Sequence, residues 1–319
     1  MLVIVFPGQG SQAPGFLAPW LELPGAADRL RWASAVVGAD LLAHGTTSDA
    51  ETLRDTAVAQ PLIVAAGLLA LRELVDGPAA LARVAGAVAG HSVGELTAAA
   101  AAGALSPEQA LVLVRERGRA MAAAAAVRPT GMSAVVGGDP QEVSAALERL
   151  GLAAANANGG GQVVAAGELE ALAALGAEPP AGARVVPLKV AGAFHTEHMA
   201  PAVGALRELA AGLEPGTASV PLAANADGEL VTDGAELLRR LVAQVSRPVR
   251  WDLCTATLER LGVTALIEVA PAGTLANLAK RQLKGVEVLA LKTPADLDRA
   301  RTLVAEHGAP ATETAGAAR

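Results

Sequence analysis

The sequence predicts an α/β fold: a large α/β domain into which a smaller ferredoxin-like subdomain is inserted. Three observations lead there. Short buried-strand signals alternate with helical stretches along most of the 319 residues. The turn Gly90-His91-Ser92-Val93-Gly94 stands where a strand gives way to a helix. The segment from about 130 to 191 reads β-α-β-β-α-β. The expected division is therefore a large domain over 1–129 plus 192–307, a subdomain over 130–191 and a loose tail over 308–319, rich in Ala and Thr.

Leu2–Phe6 reads as a buried strand, and Pro7-Gly8-Gln9-Gly10-Ser11-Gln12 as a tight polar turn after it. With Ala13 this turn also fits a loose dinucleotide-binding pattern, but Pro14-Gly15 would break the helix that pattern requires. Helices are expected near 26–37, 60–74, 94–102 and 107–126. In the insert, strands are expected at 132–137, 152–156, 162–166 and 184–190, with helices at 140–150 and 168–175. The turn Asn158-Gly-Gly-Gly161 separates the second and third of these strands. Beyond the insert, strands are expected at 221–225, 266–270 and 286–291, and helices at 237–245, 251–261 and 274–283.

Composition excludes several function classes. Apolar residues make up 52% of the chain, aromatics only 2%, and tyrosine is absent, so the core must be built from Ala, Val and Leu. A formal charge of −7 argues against nucleic acid and anionic membranes as main partners. The single cysteine, Cys254, rules out an intrachain disulfide and a cysteine-cluster metal site. The apolar run at Leu2–Phe6 stops at Pro7, too short for a signal peptide, and no uninterrupted apolar run approaches membrane-spanning length. A cytoplasmic location is expected.

Three residues carry candidate chemistry. Ser92 sits in a G-x-S-x-G between the apolar run from Val84 and an Ala-rich helix. A sharp turn there lifts the hydroxyl over a helix N-terminus, whose N–H groups can receive an oxyanion. The bland alternative is a glycine-rich turn with an ordinary surface serine. Arg117 falls on the same helical stripe as Ala110, Val114, Gly118 and Met121, whereas Arg115 and Arg119 point outward. An inward arginine needs an anion, and its planar fork suits a carboxylate. A structural salt bridge to a nearby acid satisfies the same spacing. Of the five histidines (His44, His91, His195, His198, His307), His195 is best placed as a base. It lies where a strand yields to a helix, with Thr196 as N-cap. His91 adjoins Ser92 in sequence, so its ring points away from the serine oxygen, and His198 belongs to the following helix.

Taken in order, Phe6-Pro-Gly-Gln-Gly-Ser-Gln12, Gly90-His-Ser-Val-Gly-Glu95, Arg117 and Gly192-Ala-Phe-His195 resemble the malonyl-CoA:acyl-carrier-protein transacylases of fatty-acid and polyketide synthesis. The free-standing actinobacterial type is the most similar, and the resemblance runs to about Thr293. It implies an α/β-hydrolase-like large domain with a ferredoxin-like insert. It implies Ser92 as nucleophile, His195 as general base and Arg117 as the group that binds the malonyl carboxylate. The backbone N–H groups of Gln9 and Val93 match the oxyanion hole, His91 lines the pocket, and the backbone carbonyl of Gln244 orients the histidine. Gly192 is a departure, since related malonyl-selective domains often have His-Ala-Phe-His.

The implied reaction is ping-pong: Ser92 takes malonyl from coenzyme A and yields it to the pantetheine thiol of an acyl carrier protein. It needs no metal and no cofactor beyond the thioester substrate, and the sequence offers no P-loop and no zinc spacing. Phe194 fills the space a 2-methyl branch would need, or simply packs. Lys189, Lys280, Arg281 and Lys284 are candidates for a basic patch facing the acidic carrier, or a solvated charge run. A monomer is expected. Two other classes compete: an acyl-thioester hydrolase using the same Ser/His pair, and a non-catalytic carrier-docking scaffold.

Overall fold

Leu2–Phe6 (β1) is buried at every position, because it lies in the middle of a sheet covered on both sides. In the computed structural model, which describes residues 1–308, the chain then forms α1 (Ala26–Val37), α2 (Leu41–Thr46) and α3 (Thr56–Leu74). Next come α4 (Pro78–Leu81), β2 (Ala85–Gly90), α5 (Val93–Ala101) and α6 (Pro107–Ala125). The inserted segment holds β3 (Thr130–Gly137), α7 (Pro140–Arg149), β4 (Ala153–Gly159), β5 (Gln162–Glu168), α8 (Leu169–Ala177) and β6 (Ala183–Pro187). The remainder is α9 (Ala200–Ala210), β7 (Leu222–Ala223), β8 (Leu230–Val231), α10 (Gly234–Gln244) and β9 (Val249–Arg250). After them come α11 (Trp251–Arg260), β10 (Ala265–Glu268), α12 (Thr274–Gln282), β11 (Glu287–Ala290) and α13 (Leu297–His307).

Six strands form the larger sheet in the order β11-β10-β1-β2-β7-β8. All its pairings are parallel except the β7–β8 hairpin. Strand alternation sends Leu2, Ile4 and Phe6 into one apolar cluster with α3, α5 and α6. Val3 and Val5 go into a second cluster with Trp251, Leu258, Leu275 and Leu278 of α11 and α12. Burial on both faces is why β1 reads as a continuous apolar run. The smaller sheet has the order β6-β3-β5-β4-β9. Its β3, β4, β5 and β6 pair antiparallel, and α7 and α8 pack on it through Val143, Leu147, Leu172 and Leu175. β9 joins it parallel to β4, so the later part of the chain stitches the insert to the main sheet.

Several expectations need correction. Helix α3 starts at Thr56, earlier than position 60, because Asp55 caps it by accepting from the Ala57 N–H at 2.8 Å. By length and composition alone α3 could cross a membrane, but its apolar run is interrupted by Gln60, Arg72 and Glu73, and most of it is buried in the core. Asn158 and Gly159 belong to β4, not to a turn. β6 ends at Pro187, after which Leu188 and Val190 turn into the cleft that holds Ser92. Thr196 does act as a cap, accepting from the His198 N–H at 3.2 Å, but it opens a 3₁₀ turn, Glu197–Met199, and His198 lies in that turn ahead of α9. Helix α13 was not expected; Leu297, Ala300 and Leu303 recur at helical spacing and bury one face. Of the expected tail, all but Gly308 lies outside the described residues.

Candidate active site

Phe6 and Gly90 end two adjacent parallel strands, and the cleft opens beyond those ends, where open α/β sheets place their ligands. The turn after β2 is tight. A Cβ on Gly90 would lie 2.1 Å from the Gly94 backbone, and one on Gly94 would lie 2.1 Å from the Phe6 carbonyl oxygen. Both glycines let three backbones meet. Ser92 between them takes φ 53°, a conformation that non-glycine residues rarely adopt. Asn225, after β7, holds it there: its Oδ1 accepts the Ser92 N–H at 2.8 Å and its Nδ2 donates to the Gly90 carbonyl at 2.7 Å.

His195 is the second non-glycine residue with positive φ, at 63°. Its N–H donates to the Val245 carbonyl at 3.1 Å and its ring Nδ1 lies 2.9 Å from the Gln244 carbonyl. A donating Nδ1 leaves Nε2 as an acceptor, 2.7 Å from Ser92 Oγ. The serine hydroxyl therefore donates to the ring. The Gln244 carbonyl takes the place a triad carboxylate would occupy. Burial, then the nearby Arg117 charge, push His195 down to about 3, against the pull of that carbonyl.

Arg117 is 1% exposed. Among the described residues no carboxylate bonds to it; two amides do, so a salt bridge is not what holds it. Its Nη1 donates to Gln60 Oε1 at 2.6 Å, and its Nη2 to Gln244 Oε1 at 2.8 Å. The same Nη2 reaches Ser92 Oγ at 3.2 Å. Among the described residues its Nε has no partner. Burial lowers this guanidinium to about 10, with Glu95 pulling the other way, so it is still a cation at neutral pH. Two neutral amides position the charge without cancelling it, and the fork remains able to receive an anion.

A cavity of about 230 Å³ lies over Ser92 and His195, and Arg117 stands behind its wall, bonded to the lining residues Gln60 and Ser92. Gln9 and Val93 line the cavity beside Ser92 and His195, and so do His91, Phe194 and Gln60. The His91 Nε2 lies 2.9 Å from Asn158 Oδ1 and its ring packs 5.8 Å from that of Trp251. Its side-chain contacts are thus with Asn158 and Trp251, in line with the expected turn away from the serine oxygen, and burial holds it below the usual histidine range. Phe194 is 6% exposed. Gly192 lies against α6: a Cβ there would come within 2.6 Å of the Ala125 Cβ. Lys189, Lys280, Arg281 and Lys284 are all exposed, and Lys189 adjoins the cleft-lining Leu188 while Lys280 and Arg281 lie on α12, which lines it.

Sequence reasoning did not find Asn225, Gln60 or Glu95. Glu95, on α5, is 2% exposed, accepts the Asn225 N–H at 2.7 Å and also accepts from Gln244 Nε2. Burial raises its carboxyl to about 7, against those two hydrogen bonds and the charges of Arg117 and Arg240. Gln244 was singled out for its backbone alone, yet its side chain bridges Arg117 and Glu95. A lone acid in the Ala-rich run of α5 and a lone Gln among the apolar residues of α3 were the available signals.

Residues 3–305 match the model of the acyl transferase domain. The chain is 52% identical over 303 residues to the malonyl CoA-acyl carrier protein transacylase of Mycobacterium bovis, covering 95% of this chain and all of the relative. The crystal structure of MCAT from Mycobacterium tuberculosis superposes with a TM-score of 0.90 at 51% identity, covering 94% of this chain and 99% of that one. A malonyl-transacylase solved in complex with a type II PKS acyl-carrier protein gives a TM-score of 0.86 at 31% identity, with coverage of 94% and 99%. The chain belongs to the acyl transferase domain family and, within it, to the malonyl-CoA:acyl-carrier-protein transacylases.

Proposed function

We propose that this chain takes malonyl from coenzyme A onto Ser92 and passes it to the pantetheine thiol of an acyl carrier protein. The observation that carries the reading is convergence: Ser92 Oγ lies 2.7 Å from a base nitrogen and 3.2 Å from a buried cation. His195 Nε2 removes the hydroxyl proton as Oγ attacks the thioester carbon. The Gln9 and Val93 N–H groups receive the oxyanion, each contributing about 3 kcal/mol of barrier lowering by analogy with deleted donors elsewhere. The C–S bond breaks, the proton on His195 passes to the departing thiolate, and malonyl-Ser92 remains. The carrier thiol then attacks, and the steps reverse. None of them requires a metal or a nucleotide.

The Arg117 fork turns from Ser92 Oγ to the malonyl carboxylate. This pairing does more than bind. Arg117 disfavours a proton on His195, and a bound carboxylate offsets that charge. Malonyl thereby makes its own base more willing, whereas acetyl leaves the cation opposing proton transfer. Selectivity should then be visible in kcat as well as KM. Phe194, buried on the cleft wall, limits room for a 2-methyl branch.

The finer architecture is part of the proposal. The α/β-hydrolase-like description fits a nucleophile on the turn between β2 and α5. The ferredoxin-like description of 130–191 draws support from the strand order β6-β3-β5-β4 with two helices. We assign 1–129 plus 192–307 to the catalytic domain and take the protein to be a cytoplasmic monomer. The exposed cations Lys189, Lys280, Arg281 and Lys284 are the proposed face for the carrier. Neither the Mycobacterium bovis relative nor the two solved transacylases is described as a hydrolase, and that reading is set aside.

Intact-mass measurement tests the reading. Mixing with malonyl-CoA should add one malonyl group, and carrier protein should discharge it. Steady release of free malonate without carrier would restore the hydrolase. A malonyl mass on Ser92→Ala would dismiss the nucleophile assignment.

A further inference from the structure

The two oxygens of Glu95 are both acceptors. Oε1 takes the backbone N–H of Asn225 at 2.7 Å, and Oε2 takes the Gln244 Nε2. That nitrogen also faces Ser92 O at 3.2 Å and Asn225 Oδ1 at 3.1 Å. Every neighbour of the Gln244 nitrogen is an oxygen, so its amide oxygen must face the other way, onto Arg117 Nη2 at 2.8 Å. We propose that Glu95 is a positioning residue for malonyl selection: its carboxylate locks the Gln244 amide in the one orientation that presents an oxygen to the Arg117 clamp. The inference rests on the assignment of Arg117 as that clamp.

The alternative orientation shows why a carboxylate is needed. An amide at position 95 offers one oxygen and one NH₂. The Asn225 N–H belongs to the main chain and keeps the oxygen. The NH₂ then meets the Gln244 NH₂, donor against donor. A side-chain amide can rotate where main chain cannot, so Gln244 turns over. Its NH₂ now faces Arg117 Nη2, which loses an acceptor and gains a dipole of the wrong sign. The Gln244 carbonyl stays on His195, because it belongs to the backbone. The perturbation therefore reaches the clamp more than the base, which a merely structural role for Glu95 would not do.

The test is Glu95→Gln, with acylation of Ser92 by malonyl-CoA and acetyl-CoA followed by mass and a thermal melt confirming the fold. The ratio of malonyl to acetyl kcat/KM should fall about 10- to 100-fold, the scale of one unsatisfied hydrogen bond to a charged group. Most of the malonyl loss should lie in KM. Equal losses for both acyl groups, or no loss, overturn the proposal. If E95Q does not fold, Gln244→Met removes the same relay and is read the same way; an unchanged ratio there also overturns it. Arg117→Ala runs alongside. A lowered ratio in R117A with an unchanged ratio in E95Q sinks the Glu95 inference alone, whereas an unchanged ratio in R117A sinks the clamp on which it rests.

Discussion

Replacing Arg117 by Ala should separate two effects of one cation. The first is recognition. The guanidinium is buried and held by Gln60 and Gln244 oxygens, which direct it towards Ser92 Oγ. A malonyl carboxylate on the fork gains two charge-assisted bonds, about 1.5–3 kcal/mol each. Their loss lowers malonyl-CoA kcat/KM by about 10² to 10⁴-fold. The second effect is on the base. Arg117 is the second cause, after burial, of the depressed His195, so deleting it moves the His195 pKa upward from about 3. Neutral His195 is the active form. A rise in its pKa therefore shifts the acid limb of kcat/KM to higher pH, since that limb reports the free enzyme. A neutral acetyl ester reads this limb without carboxylate recognition. In the native protein the limb should lie far below pH 6.5, the ordinary histidine value; in R117A it should move up. Single-turnover acylation followed by mass supplies the first measurement and the ester pH profile the second. Malonyl kcat/KM within about threefold of the native value would refute the clamp. An unmoved acid limb would refute the electrostatic link between Arg117 and His195.

Asn225→Ala should strip the Ser92 N–H and the Gly90 carbonyl of their partner. Stability should fall by about 1–3 kcal/mol, and kcat should drop more than KM rises because the serine turn loosens; denaturant melts and steady-state kinetics check both. Gly192→Ala should drive a methyl into Ala125 Cβ and cost about 1–3 kcal/mol, with Ala125→Gly in the same chain recovering part of the loss in a thermal melt. An unaltered melting temperature in the single variant would contradict the packing at that site. His91→Ala should keep Ser92 reactive towards the neutral ester, because the His91 ring bonds to Asn158 and not to the serine. A complete loss of ester reactivity would place His91 in the proton path instead.

What could be read from the sequence was whatever local backbone announces. Ser92 stood out because a strand-turn-helix with glycines on either side leaves a serine little freedom, and its φ of 53° is the consequence. Arg117 stood out because helical periodicity places a charge on an apolar stripe, although the same periodicity could not say whether an acid or an amide would receive it. Asn225 left no trace, since it meets Ser92 across 133 residues and the strand that precedes it, β7, is only two residues long. Gln60 and the Gln244 side chain are of the same kind, their work defined by partners on other elements. Glu95 lies between these cases. A carboxylate in a run of alanines is a visible anomaly, because burying an acid is costly unless something receives it. That signal is present in the sequence but names no partner; only the fold shows that the partner is the amide that also holds the arginine. The nucleophile, the base and the clamp come from different stretches of chain. Their mutual distances are set by neutral amides and one acid that carry no motif of their own, which is why the chemistry was legible earlier than the geometry that aims it.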